Sequence, residues 1–164
     1  GVGRQLVGRV ALAIGQRREP GVFLAADRRQ VGHQFVVEPL GPEHNEEDYD
    51  AWTSSMEHIA ETPGFPDRSW PREMTRDENR ADLQRHADDF SKRRGFTYTV
   101  LDPGGRDVIG CVYIYPLPDS DYAASVLSWV RKSHAHLDTP LWHTVTEWLE
   151  SDWPFATVKY ARRA

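Results

Sequence analysis

Residues 94–132 read RGFTYTVLDPGGRDVIGCVYIYPLPDSDYAASVLSWVRK. Phe96, Thr97, Tyr98, Thr99, Val100 and Leu101 are aromatic, β-branched or aliphatic, the side chains that suit a pleated surface, so 96–101 is expected to be a strand. Asp102, Pro103, Gly104 and Gly105 follow. Proline presets φ and glycine supplies positive φ, which predicts a tight turn. Residues 107–115 make a second strand, and its near-continuous apolar run predicts burial on both faces. The segment PLPDSD at 116–121 breaks it, and 122–130 makes a third strand. Connections this short place successive strands side by side and antiparallel, as a meander.

Beyond Val130 the apolar period changes from two to 3.6. Leu141, Val145, Trp148 and Leu149 fall at i, i+4, i+7 and i+8, one face of a helix expected over 139–150. Asp138 or Thr139 can cap it, with Pro140 in the tolerated first turn. Trp153-Pro154 ends the helix, and 155–160 reads as another strand. Upstream, FVVEPL at 35–40 is a strand, and Gly41-Pro42 turns the chain into a helix over 46–61. Tyr49, Trp52, Met56 and Ile59 give that helix its core face. Glu46, Glu47 and Asp48 sit in its first turn, where the positive end of the helix dipole favours carboxylates. This acidic run therefore reads as helix-start chemistry rather than a catalytic cluster. TPGFPDRSWP at 62–71 is a long, proline-rich, aromatic loop, a kind that is usually functional or mobile. Thr75 and Glu78 then form a capping box for a helix over 76–92, with Leu83, Ala87 and Phe90 as its narrow apolar stripe.

The 164 residues suit one domain, expected over 35–164, preceded by a partly ordered extension over 1–34 with a short leading strand near 21–24. Hydrophobic residues make up 39% and charged residues 27%, as in soluble globular proteins, and a net charge of −5 argues against a nucleic-acid partner. LVGRVALAI at 6–14 is too short and is broken by Arg9, which argues against an export signal. No apolar run reaches the roughly 20 residues of a membrane span. The lone cysteine, Cys111, excludes an internal disulfide framework and fits a reducing, cytoplasmic setting. His134, His136 and His143 lack the further placed ligands of a metal site and read as surface or capping residues, so no metal is expected. There is no Gly-x-Ser-x-Gly elbow for a hydrolase.

A strand, helices, a three-strand meander, then helix and strand, in that order over about 35–161, resembles the GNAT superfamily of N-acetyltransferases. The resemblance implies an α/β (α+β) fold: a mixed, mostly antiparallel sheet flanked by helices on both faces. It implies acetyl-CoA as cofactor, lying across the splayed ends of the strands at 122–130 and 155–160. The family's pyrophosphate loop, Gln/Arg-x-x-Gly-x-Gly/Ala, falls here on RKSHAHLDT at 131–139, which contains no glycine. Cofactor contacts then fall to Val130 through its backbone, to Arg131, Lys132, His134 and His136 as positive charge, and to Thr139 at the helix start. Asp138 opposes them by like-charge repulsion.

Ser125 occupies the position of the family's general-base glutamate, where a hydroxyl can hold a water but cannot itself take a proton from an amine. The resemblance places the acceptor pocket near the 62–71 loop, with Phe65, Trp70, Tyr113 and Trp129 as candidate walls; packing onto the helices is the competing role. The family usually continues with another helix and two strands. The 155–160 edge is therefore expected to be covered by a second copy, as a homodimer, or by residues 20–34. Two readings stand: acetyl transfer from acetyl-CoA to a small-molecule or peptide amine, or a non-catalytic binding module on the same fold whose cofactor loop has decayed.

Overall fold

The computed structural model describes residues 28–65 and 69–164. Six strands form one sheet: β1 (Arg29–Val31), β2 (Phe35–Pro39), β3 (Phe96–Leu101), β4 (Val108–Pro116), β5 (Ala124–Val130) and β6 (Val158–Tyr160). Their spatial order is their sequence order. Neighbours are antiparallel from β1 to β5, and β5 runs parallel to β6, joined by a helical crossover. The helices are α1 (Asn45–Thr53), α2 (Met56–Glu61), α3 (Arg76–Ser91) and α4 (Asp138–Asp152). The result is the expected mixed, mostly antiparallel sheet. Among the described residues no helix is long and apolar enough to cross a membrane.

Period-two alternation divides the side chains of the sheet between two cores. Tyr98, Val100, Val112, Ile114 and Val126 face α4, whose Leu141, Val145, Trp148 and Leu149 cover them. Val36, Cys111 and Trp129 face the other way, under Ala51 and Trp52 of α1, Ile59 of α2 and Leu83 of α3. The β3–β4 turn closes as expected, with Gly105 at φ 67° donating its N–H to the Asp102 carbonyl. Thr75 and Glu78 make the capping box at the start of α3.

Three expectations need correction. The helix expected over 46–61 is two helices, broken at Ser54 and Ser55. The Ser54 hydroxyl bonds back to the Ala51 carbonyl, a competition with the helix ladder that serines offer. Ser55 is 3% exposed, and its hydroxyl is held by the backbone N–H of Lys132, 77 residues away. The last strand is shorter than 155–160, because ladder pairing with β5 begins at Val158. Residues 28–34 do not cover β6: they form β1 and its turn at the opposite edge, beside β2. The leading strand expected near 21–24 lies outside the described residues.

Candidate functional site

A pocket and a filled strand wedge adjoin on the β5 side of the sheet. The pocket, of about 310 Å³, lies on the α1–α3 face. Its walls are Phe65 and Trp70 from the loop after α2, Tyr113 and Tyr115 from β4, and Leu127 from β5. Trp70 is the hub of the cluster, with ring centroids 5.5 Å from Trp52, 6.1 Å from Phe65, 6.4 Å from Tyr113 and 6.0 Å from Trp129. The four aromatic residues singled out in the sequence are thus brought together. Trp129, fully buried, lies beneath the wall and donates its indole N–H to the Tyr113 hydroxyl at 3.0 Å. Burial pushes the Tyr113 phenol well up, so it stays protonated.

The polar groups of this pocket come from the helices. Asp48 of α1 lines it, together with Asn79, Asp82 and His86 of α3. Asp48 is 4% exposed, so it is not the solvated helix-start carboxylate that its neighbours Glu46 and Glu47 are. Its Oδ2 accepts an N–H of Asn79 at 3.1 Å, while the Asn79 carbonyl oxygen accepts the Trp52 indole N–H at 3.1 Å. Burial, only partly offset by the Asn79 hydrogen bond and the nearby His44, pushes the Asp48 carboxyl up to about 6. His86 is shifted the other way. Burial lowers its pKa against the pull of Asp89, leaving a neutral ring whose Nδ1 lies 3.0 Å from the Thr97 hydroxyl. Sequence patterning missed both groups, because each is defined by partners on other elements.

Beside the pocket, β5 and β6 part to leave a wedge. The two strands pair at Ala124/Val158, Ser125/Lys159 and Val126/Tyr160, and the ladder ends there. The Tyr160 hydroxyl shares a 2.5 Å hydrogen bond with the Ser128 hydroxyl, and burial raises this phenol to about 12. Beyond it lies the side chain of Arg163, 5% exposed. Its Nη2 donates to the Ser128 carbonyl at 2.8 Å and its Nε to Asp138 Oδ2 at 2.9 Å. Asp138 is therefore neutralised by Arg163, and the like-charge repulsion expected of it is corrected accordingly. Wedge and pocket adjoin across Leu127 and Ser128 of β5, with the Pro63-Gly64 turn beside both: Pro63 offers its carbonyl to Arg163, while Gly64 lines the pocket.

The remaining residues singled out in the sequence are dispersed around the wedge. Val130 is a core residue on the α4 face, and Arg131 turns its guanidinium back to the Val108 carbonyl at 3.3 Å. Lys132 is exposed but its backbone N–H is taken by Ser55. His134 bonds the Ser133 hydroxyl through Nδ1, and its ring stacks on that of His136 with centroids 6.3 Å apart. Thr139 lies in the first turn of α4. Ser125 is half-buried on β5, paired with Lys159, and does not line the pocket. Among the described residues no group of three or more His, Cys, Asp or Glu side chains is placed to hold a metal ion.

No protein-family model matches the sequence, and no curated protein matches it. Solved structures do match in fold. A probable acetyltransferase superposes with a TM-score of 0.63 at 12% identity, over 82% of this chain and 72% of its own. The Salmonella typhimurium acetyltransferase that modifies the N-terminal serine of the 50S ribosomal subunit protein L7/L12 gives 0.59 at 11% identity, over 77% and 70%. The ribosomal L7/L12 α-N-protein acetyltransferase RimL, in complex with coenzyme A, gives 0.58 at 12% identity, over 77% and 70%. The chain therefore has the fold of the GNAT acetyltransferases.

Proposed function

We propose that the protein is an N-acyltransferase that moves an acetyl group from acetyl-CoA to a primary amine of a small molecule or peptide. One observation carries this reading: a carboxylate-bearing aromatic pocket adjoins the β5–β6 wedge, the place where the resembled fold holds its cofactor, across Leu127 and Ser128. Two of the proteins solved with this fold modify the N-terminus of ribosomal protein L7/L12, which suggests a class of acceptor.

The cofactor does not fit the wedge as it stands here. Arg163 fills the space beside Ser128, and the Lys132 N–H is already bonded. The chain's own residues nevertheless supply acceptor chemistry in the adjoining pocket. The faces of Trp70 and Tyr113 suit a cationic amine, since an ammonium is drawn to aromatic faces. An amine attacks an acyl carbon only after losing its proton. Asp48, with its carboxyl raised to about 6, is ionised at neutral pH yet basic enough to accept that proton, and it stands in the role that Ser125 cannot fill. His86, neutral and in the same pocket, can relay the proton onward. A cytoplasmic location and a homodimer joined through the outer edge of β6 belong to the same proposal. A monomeric mass in sedimentation at tens of micromolar would remove the dimer.

Incubating the protein with acetyl-CoA and a panel of polyamines and N-terminal peptides, with mass-spectrometric detection, tests the reading. At least one acceptor is expected to gain an acetyl group, and Asp48→Asn is expected to slow transfer by about 10²-fold or more, the usual weight of general-base catalysis. Wild-type rates in Asp48→Asn would remove the role given to this residue. No product with any acceptor would favour the second reading, a binding module, which Arg163 in the wedge already supports.

A further inference from the structure

Arg163 is held in the wedge from four sides. Nε and Nη2 reach the two carboxylate oxygens of Asp138 at 2.9 and 3.3 Å, the forked geometry that suits guanidinium and carboxylate. Nη2 also donates to the Ser128 carbonyl at 2.8 Å and lies 3.3 Å from its hydroxyl. Nη1 donates to the carbonyls of Ala161 at 2.8 Å and Pro63 at 3.2 Å. The guanidinium carbon stands 5.6 Å from the Tyr160 ring centroid. One side chain thus ties together β5, the segment after β6, the start of α4 and the loop after α2.

We propose that Arg163 and Asp138 form a latch that holds the β5–β6 wedge shut against an extended, amide-bearing ligand, the pantetheine arm of coenzyme A. This inference rests on the acyl-transfer reading above. Beyond Val126 the strand has lost β6 as a partner, and the Ser128 carbonyl is an acceptor that a ligand amide would use in the manner of an added strand. Arg163 now uses it.

The latch is polar where a permanent filling would be apolar. A buried ion pair adds little stability over a well-packed apolar pair of the same volume, so this one is poorly explained as a core device. The pair is open on one side only: the Asp138 side chain keeps 19% of its surface exposed and Arg163 only 2%, so a pyrophosphate reaches the guanidinium only once the pair has parted. A ligand therefore captures the open state when it forms and does not prise the latch apart. The latch also accounts for Asp138 at a position where a phosphate-binding loop has no use for a carboxylate.

Calorimetric titration of free coenzyme A into the whole chain tests the proposal without any need for turnover. A latch closed nine-tenths of the time or more lowers apparent affinity by about tenfold or more, so Arg163→Met is expected to bind at least tenfold more tightly than wild type. Methionine keeps the packing of the side-chain stem and removes the donors. Asp138→Asn, approaching from the other partner, should shift affinity in the same direction. Hydrogen exchange at 127–130 and 158–163 in the same variants should quicken without ligand and slow again when coenzyme A is added. Equal affinity in wild type and both variants overturns the latch and leaves the acyl-transfer reading standing. If none of the variants binds while circular dichroism shows them folded, the acyl-transfer reading falls and the latch loses its ligand with it.

Discussion

Gly110→Ala is expected to leave the chain largely unfolded at room temperature, or at best to remove about 3–5 kcal/mol of its stability. A Cβ at this position on β4 would stand 1.9 Å from the Trp129 carbonyl oxygen, 2.9 Å from its carbon and 3.0 Å from the Val130 Cα. All three atoms are backbone of the neighbouring strand, which pairs Gly110 with Val130, so no rotamer change relieves the clash. The two strands must separate at the end of β5. Folded domains hold only about 5–15 kcal/mol in total, so a loss of this size removes a large share of it and unfolds a domain at the low end of that range. Gly104→Ala is the control, because a Cβ there meets the Asp102 carboxylate at an ordinary 3.6 Å. Urea midpoints measure both variants. A Gly110→Ala protein within about 1 kcal/mol of the parent would mean that β4 and β5 do not approach so closely here.

The second large effect is expected at Asp48, and its sign is opposite. A carboxyl raised from 3.8 to about 6 binds its proton more tightly in the folded chain than in the unfolded one. Between about pH 4 and pH 6 the folded state therefore carries the extra proton, and stability falls as pH rises through that window. Above it the loss is complete, at about 3 kcal/mol. Asp48→Asn removes the charge and keeps an oxygen for Asn79, so it should stabilise the protein at pH 7 by up to about 3 kcal/mol and leave it little changed at pH 4. Chemical denaturation at the two values measures this. Equal destabilisation by the substitution at both would show that Asp48 is a structural carboxylate with no strain of charge. A residue that lowers stability at working pH, and that lines a pocket, is one whose presence needs a functional reason.

The meander was legible because its information is local. Residues 96–101 and 108–115 carry β-branched and aromatic side chains between turn residues, and nothing distant changes their assignment. The apolar face of α4 was legible for the same reason, as Leu141, Val145, Trp148 and Leu149 repeat at helical spacing. What escaped was set from afar. Ser54 and Ser55 break a helix whose pattern runs straight through them, and the partner of Ser55 is at Lys132. Asp48 obeys the local rule for a first-turn carboxylate and yet turns inward, because Asn79 waits 31 residues on. Arg163 has the local character of a solvated basic residue, and only the convergence of Ser128, Asp138 and Pro63 makes it a buried one. Phe65 and Trp70 stand out by residue type in the 62–71 loop, and the fold brings them beside Tyr113 and Trp129. Asp48 and His86 did not stand out, because burial rather than identity shifts their pKa values.

Trp70 also governs how the pocket handles light. It stands within about 6 Å of Trp52 and Trp129, and Trp52 is in turn 5.4 Å from Tyr49. Rings this close exchange excitation before they emit, so the cluster behaves as one chromophore with several antennae. Trp52 and Trp129 are sealed in the interior and keep constant surroundings, whereas Trp70 keeps part of its surface open beside the pocket. Within this cluster Trp70 is the indole that an entering molecule would touch, while Trp142, Trp148 and Trp153 lie outside it and add their own emission. With those three replaced by phenylalanine, occupancy of the pocket can be read from the cluster's own emission, without a label.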